Sequence, residues 1–316
     1  MNYVFFDIEC ANCLHGEGKI CSFGYVKTDE AFNVIKKKDI LINPDAPFLL
    51  GNAKTGNGIK LAYPLFRFRW SHLFPSYYDE IKNLLTDPNT LSFGFAVNQD
   101  VSYISYSCRR YNLPYIEFSF FDIQKLDKEI FKRDNPMGLD SLVEKYHAKT
   151  FTYHRSDDDA LMTMEVFRGL LNENHLKVQE AINYHPNALR NTDSLLSQIE
   201  EKRKNTAKKE ALRKKLNEFY VSLEDLHADV SYFDSFFWKK SFYLDMKIMT
   251  LNLDYLNSEK DLLYKKGAKL IRNPNAADVI VIFDSKSPRP HLIENHKVTP
   301  MIVFSDFKSK LERKTK

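Results

Sequence analysis

Cysteine is scarce in this chain: four in 316 residues, with Cys10, Cys13 and Cys21 crowded together and Cys108 far away. That is no disulfide framework for a chain of this size, and a reducing compartment, the cytoplasm, is expected. A closed zinc site wants four ligands, and neither His15 nor Cys108 stands at a supporting spacing from the other three. No apolar run reaches about 18 residues, so no membrane span is expected. The opening Met1-Asn2-Tyr3-Val4 lacks the basic start and apolar centre of a signal peptide. Net charge is small as well, +4, so the whole-chain balance does not announce a nucleic-acid binder. Internal repeats and low-complexity segments are absent.

What is present is core material and a local concentration of charge. Hydrophobic residues make up 43% of the chain, with 24 Phe and 17 Tyr, and the length suits two modest domains with a connector. Strands are expected at 2–9, 19–27 and 32–42, spaced as an antiparallel meander. Residues 43–74 read as irregular. Then come a helix at 76–86, a strand at 90–95, a helix at 99–112, a strand at 117–122 and helices at 123–132, 138–146 and 156–172. Strands first and alternation afterwards indicate an α/β fold, a mixed sheet with helices on both faces. Between 198 and 218 eight Lys or Arg outnumber four Glu, which equals the surplus of the whole chain. Across 187–226, with no glycine and with helix-spaced Leu195, Leu196, Ile199, Leu212, Leu216 and Phe219, the chain reads as a helical connector. Its bases are either a solvated mixed-charge face or contacts to a nucleic-acid backbone.

The chemistry starts at Asp7 and Glu9, two apart on the first strand, so that both carboxylates emerge on one side. Their neighbours Phe5, Phe6 and Ile8 are apolar. Two acids in such a place raise each other's pKa or need a cation, and a divalent metal meets that need. A strand end with incidental acids is the plainer alternative. Further along, His154-Arg155-Ser156-Asp157-Asp158-Asp159-Ala160 leads into a helix with Leu161, Met164, Phe167, Leu170 and Leu171. His154 in the loop and Asp159 in the first turns can reach one site from two backbone directions. A histidine of pKa about 6.5 can accept a proton from water there. The same acids equally suit a helix start through capping and the macrodipole. Asp100 opens a helix after a strand, and alone it is an ordinary first-turn acid.

The order of these pieces resembles the DEDDh (DnaQ-like) 3′→5′ exonucleases: Asp-x-Glu on a first strand, an Asp opening a helix some 90 residues on, then His-x-x-x-x-Asp-Ala opening a later helix. The resemblance covers about residues 1–172. Ile20 to Gly24, Pro75 to Leu84, Phe121-Asp122 and Gly138-Leu139-Asp140-Ser141-Leu142 agree with it. It implies an RNase H-like fold and a two-ion Mg²⁺ or Mn²⁺ site. Asp7, Glu9 and Asp159 would hold one ion, Asp7 would bridge to the other with Asp100 assisting, and His154 would be the general base. The implied substrate is nucleic acid with a free 3′ end, single-stranded by preference, releasing nucleoside 5′-monophosphates. Departures from the pattern are Cys10-Ala11-Asn12-Cys13 after the first motif and Phe95-Ala96 before the second. They make Cys10, Ala11 and Phe95 candidates for substrate grip. Phe66-Arg67-Phe68-Arg69-Trp70 interleaves rings with bases, so Arg67 and Arg69 are further substrate candidates. The glycine-rich 51–58 stretch lacks the Lys-Ser/Thr of a phosphate loop and reads as a flexible loop.

The tail resembles a BRCT domain. The residues that carry this are 258–263 leading into Lys266-Gly267-Ala268-Lys269-Leu270, then Ala277-Asp278-Val279-Ile280-Val281 and Thr299-Pro300-Met301-Ile302-Val303. A strand at 242–251, a helix at 258–267 capped by Ser258, strands at 268–272, 277–283 and 298–304 with a short helix before the last, and a closing helix at 305–312 are expected. The domains expected are therefore 1–175 exonuclease, 176–235 connector and 236–316 BRCT-like. The BRCT resemblance implies a protein partner or a DNA end, with no membrane, and tilts the substrate toward DNA and a role in replication or repair. An RNA-trimming exoribonuclease and a non-catalytic adaptor acting through the tail are the alternatives.

Overall fold

The computed structural model describes residues 1–51, 60–148, 152, 154–284 and 299–313. It divides into two compact units, Met1–Glu201 and Lys202–Lys316.

The first unit is built on a six-stranded mixed sheet. Strands β1 (Asn2–Cys10), β2 (Ile20–Thr28) and β3 (Val34–Leu41) form the meander, and β4 (Thr90–Gly94), β5 (Ser119–Asp122) and β6 (Leu189–Asn191) complete the order β3-β2-β1-β4-β5-β6. β1 pairs antiparallel with β2 but parallel with β4, and β4 runs parallel to β5. The carboxyl ends of β1, β4 and β5 therefore open along one edge, where such sheets place their sites. The helices are α1 (Leu65–Arg69), α2 (Tyr78–Leu85), α3 (Asn98–Arg110), α4 (Ile123–Ile130), α5 (Leu139–Lys145), α6 (Ser156–Glu173) and α7 (Val178–Tyr184).

Alternation along β1 feeds two cores. Val4, Phe6 and Ile8 pack with Ile81 of α2 and Val101 and Ile104 of α3. Tyr3 and Phe5, on the other face, pack with Phe93, Phe121 and the α6 residues Val166 and Phe167. The Phe5 and Phe93 rings stack at 5.1 Å, and Phe93 lies 5.0 Å from Phe167. Each such fully buried ring contributes about 1.5–3 kcal/mol. The sheet thus has helices on both faces.

Several expectations shift. The stretch 43–74 holds a helix, α1, because Pro64 precedes it with φ already fixed and Phe68 has a core to enter. The exonuclease boundary expected at 175 lies inside the first unit: β6 pairs with β5, so the sheet recruits residues well beyond it. Helix α8 (Thr192–Val221) begins in the first unit, where Leu195 joins the core, and ends in the second.

In the second unit, β7 (Lys240–Leu244), β8 (Ala268–Ile271), β9 (Val279–Ile282) and β10 (Met301–Val303) form a parallel sheet ordered β10-β9-β7-β8. Helices α9 (Met246–Leu251), α10 (Leu253–Lys265) and α11 (Phe304–Glu312) pack through Ile248, Leu256, Leu263, Phe307 and Leu311 against Phe242, Leu244 and Val281. The strand expected at 242–251 stops at Leu244, because the Asp245 carboxylate accepts from Lys247 N at 3.0 Å and starts a helix. Ser258 is not a cap. It sits inside α10, and its hydroxyl donates to Tyr255 O at 2.8 Å. Gly267, at φ +90°, ends the turn after α10, and a Cβ there would stand 2.8 Å from Trp238 Cα. The short helix expected before the last strand, and the glycine-rich loop beyond Gly51, lie outside the described residues. Among the described residues no helix is long and apolar enough to cross a membrane.

Candidate active site

Strand register assembles the site. Asp7 pairs with Gly24, and Gly24 with Asp39, so a row of three crosses β1, β2 and β3 on the face turned to α6. Glu9 pairs with Ser22 in the next row on that face. Glycine in the middle of the row is what admits α6. A Cβ on Gly24 would stand 2.0 Å from the Ser156 carbonyl carbon and 2.1 Å from Asp157 N. The start of α6 therefore rests directly on β2, and Ser156 Oγ donates to Ser22 Oγ at 2.8 Å. Ser22 in turn donates to Asp39.

This seating brings Asp159 over Asp7 and Glu9. One carboxylate oxygen from each of the three lies within 4.8 Å of the others. Asp7 and Glu9 remain partly open to solvent and Asp159 is buried. Burial first, and then the Glu9 and Asp39 charges, push the Asp7 carboxyl up to about 8. Burial and the Asp159 charge do the same to Glu9, again to about 8. Asp159 rises to about 8 through burial and Asp7, although the His154 N–H opposes the rise. Asp100, in the first turn of α3 and also buried, is raised by burial and then by Asp7, Glu9 and Asp122. It stands beside the cluster of three rather than within it. Among the described residues, no Lys or Arg forms an ion pair with Asp7, Glu9, Asp100 or Asp159. The donor set is all carboxylate oxygen, close-spaced and uncompensated, which fits a hard divalent cation such as Mg²⁺ or Mn²⁺.

Asp157 and Asp158, the other acids at the start of α6, are compensated. Arg155 Nε donates to Asp157 Oδ1 at 2.8 Å, and Lys37 lies 3.5 Å from Asp157 and closer still to Asp158. His154 precedes the helix at φ 59°, and its Nδ1 lies 3.2 Å from Glu9 Oε1. The imidazole is 44% exposed while the Glu9 carboxylate is 13% exposed, so the ring forms the solvent side of the cluster. Ala62 N donates to His154 O at 3.2 Å, tying the α1 approach to this turn.

The substrate candidates fare unequally. Arg67 and Arg69 lie exposed on α1, with Arg67 4.7 Å from the Tyr63 ring. Between them Phe68 is buried, while Phe66 is 50% and Trp70 83% exposed. Phe95 is partly buried against the α6-side core. Cys10 hydrogen-bonds Cys13, which pushes the Cys10 thiol up and Cys13 down to about 6. Ala11 offers nothing to a substrate: it is fully buried, its N–H donates to Lys19 O and its carbonyl accepts from Leu49 N, both at 2.8 Å. The reason is positional, since Ala11 sits in a small core with Cys21, Leu61 and Phe68.

Sequence reasoning missed Asp39 and the positioning role of Asp122. Asp39 follows three lysines and looks like part of an exposed charged strand until pairing with Gly24 places it in the site. Asp122 caps α4 through Lys125 N and also accepts from Ala96 N, both at 3.2 Å. It thereby holds Ala96 at φ 51°, a left-handed conformation that is strained for alanine, just ahead of Asp100.

Residues 72–167 match the family model described as Exonuclease. The chain carries an exonuclease domain. The matched stretch includes Asp100, His154 and Asp159 and begins after Asp7 and Glu9. No curated protein matches the sequence. Among solved structures, a 3′-exonuclease recognising the histone mRNA stem-loop is similar at 11% identity, over 56% of this chain and 65% of that one, with a TM-score of 0.44. Pop2p of S. pombe, in Mg²⁺- and Mn²⁺-bound form, is similar at 14% identity over 55% and 83%, TM-score 0.43. E. coli Exonuclease I in complex with a dT13 oligonucleotide is similar at 15% over 58% and 43%, TM-score 0.43. This chain thus spans less than two thirds of the first and less than half of the last.

Proposed function

We propose that this protein is a metal-dependent 3′→5′ exonuclease that hydrolyses the terminal phosphodiester of single-stranded nucleic acid to release nucleoside 5′-monophosphates. The observation that carries the reading is the uncompensated cluster of Asp7, Glu9 and Asp159 with His154 at its rim. Those three carboxylates would hold the divalent ion, with Asp100 assisting from α3. When bound, divalent ions supply the charge that activates water and stabilises the attacking and leaving oxygens of an in-line displacement.

The residues present do the rest. With Nδ1 donating to Glu9, the imidazole of His154 keeps Nε2 as an acceptor and takes the proton of the attacking water as general base. The Gly24 contact and the Ser156–Ser22 hydrogen bond hold Asp159 in position against β1. Asp122 fixes the turn that leads to Asp100. In this reading Arg67 and Arg69 on α1 would offer charge to the phosphates upstream, and Cys10, next to Glu9 on β1, and Phe95 would grip the terminal nucleotide.

The second unit supports a BRCT-like reading. Its strands run parallel in the order β8-β7-β9-β10, with α10 between β7 and β8 and α11 after β10. Such a module would hold a protein partner or a DNA end, and it inclines the substrate toward DNA in replication or repair. Four free thiols suit a reducing, cytoplasmic setting.

The test uses 5′-labelled single-stranded DNA and RNA with Mg²⁺ or Mn²⁺, beside a 3′-blocked control and Asp7→Asn. A ladder shrinking from the 3′ end, metal-dependent and lost in the variant, is expected. Inert wild-type protein would overturn the reading in favour of an adaptor. Faster trimming of RNA would overturn the DNA preference alone.

A further inference from the structure

Helix α8 carries a row of cations that the catalytic reading does not use. Lys202, Lys209 and Arg213 are exposed. Spacings of seven and four put them on one face of the helix. At about 1.5 Å per residue the row spans roughly 16 Å, the reach of two or three successive phosphates on a single strand.

The row runs into a cavity of about 630 Å³ within the second unit, lined by Arg213 and Lys214 of α8, Tyr220 further along it, Tyr243 and Arg272 from the sheet side and Met249 from α9. Ligand pockets of roughly 300–1,000 Å³ hold molecules of nucleotide size. Tyr243 ends near the carboxyl terminus of β7, and Arg272 follows β8 directly. The cavity therefore lies where neighbouring parallel strands leave a crevice at their carboxyl ends. Arg272 is already set in place: its Nη2 donates to Asn217 Oδ1 at 2.9 Å, and its guanidinium stands 4.6 Å from the Tyr220 ring. Glu210 is the single acid in the lining, against three bases. Cations for phosphate beside tyrosine rings for a flat base are the pairing that single-strand binders use.

We propose that the second unit binds single-stranded nucleic acid on its own account, with phosphates along Lys202, Lys209 and Arg213 and one nucleotide entering the Arg272 cavity. The choice of ligand rests on the nuclease reading; the site does not, since it lies wholly within residues 202–316. A phosphorylated peptide is the competing occupant.

The experiment measures anisotropy of a labelled oligothymidylate of roughly 20 nucleotides with the full chain in EDTA, from about 50 to about 200 mM KCl. The variants are Lys202→Gln/Lys209→Gln/Arg213→Gln and, separately, Arg272→Gln. The triple variant is expected to bind at least about tenfold more weakly, with the slope of log K against log salt reduced by about 2, since each phosphate contact on a single strand contributes about 0.7. Arg272→Gln is expected to weaken binding several-fold with a smaller change in slope. Melting temperatures are compared so that a folding defect is recognised, and the exposed triple variant decides if Arg272→Gln fails to fold. Unchanged affinity and slope would overturn the proposal, as would a phosphoserine peptide displacing the probe more effectively than unlabelled oligonucleotide. Because EDTA prevents cleavage, these outcomes leave the nuclease reading untouched, and an inactive protein that still binds would sink that reading alone.

Discussion

Three aspartates follow one another at the start of α6 and meet different fates. Asp157 and Asp158 turn to Lys37 and Arg155, and their charges are closed inside the protein. Asp159, about 100° further round the helix, turns instead to Asp7 and Glu9 and meets more negative charge. All three are buried. A buried, unpaired carboxylate costs stability, so the first two belong to a finished structure and the third to a cluster that must take up a proton or a cation. Neighbours in sequence, identical in type, thus separate into structural and chemical roles by their partners alone.

The sharpest way to break this contrast is to remove charge on the open side. Asp7→Asn and Asp159→Asn should each lower metal-dependent trimming on the order of 10³-fold, the scale of losing a group that acts on transition-state charge. The metal-free protein should melt at a higher temperature, because one of the repelling charges is gone. A fall in melting temperature would mean that Asp159 is closed like its neighbours. His154→Ala should cost about 10²-fold in rate, the usual contribution of a general base. Mn²⁺ affinity by calorimetry should hardly change, and a large loss of affinity would make His154 a ligand instead.

Much of this was legible in the sequence because its signals are local. The β1 strand declares itself through aromatic and β-branched residues, and the two-residue spacing of Asp7 and Glu9 fixes their common face whatever the register. Read through the exonuclease resemblance, the His154-to-Asp159 spacing with Ala160 after it singles out one of the three aspartates without any knowledge of Lys37 or Arg155. What stayed hidden depends on pairing between distant strands. Nothing local in Lys36-Lys37-Lys38-Asp39 says that Lys37 neutralises α6 or that Asp39 joins the acids. Gly24 closes a segment that fits the resemblance, but why glycine stands there is hidden until the register sets it under Ser156. In the tail, the strand expected at 242–251 failed because a capping aspartate, Asp245, outweighed the β-propensity of what precedes it.

Gly24 also gives the contrast a mechanical test. Gly24→Ala places a methyl against backbone that cannot yield cheaply, so α6 must lift from β2. A loss of about 3 kcal/mol in stability is expected from chemical denaturation. Activity should fall in the protein that remains folded, because Asp159 moves with the helix. Normal activity would show that the seat does not position the site.

Acidity tests the same contrast without substitution. In the metal-free protein the Asp7, Glu9 and Asp159 carboxyls are raised from ordinary values near 4 to about 8. The folded state therefore holds protons that the unfolded chain has released. The stability these groups contribute is complete below about pH 4 and is lost as pH rises through 8. With EDTA, melting temperature should fall by several degrees between about pH 5 and about pH 8. Mn²⁺ should restore more at the higher pH, where it displaces fewer protons. Equal stabilisation at both pH values would mean that the acids are not its ligands.

The smallest effect belongs to the closed side. Asp157→Asn removes the carboxylate that Arg155 grips with two nitrogens, at 2.8 and 3.2 Å, yet leaves an amide oxygen to accept one of those bonds. Arg155 is 39% exposed, so water covers part of the loss. About 1 kcal/mol of stability should go, a few degrees of melting temperature, with trimming rates within about threefold of wild type. Repeating the substitution in an Arg155→Met background should cost less, because the partner is already absent. If Asp157→Asn instead abolished activity while leaving the fold intact, the open charge would extend across the first turn of α6, and partner geometry would no longer distinguish the three aspartates.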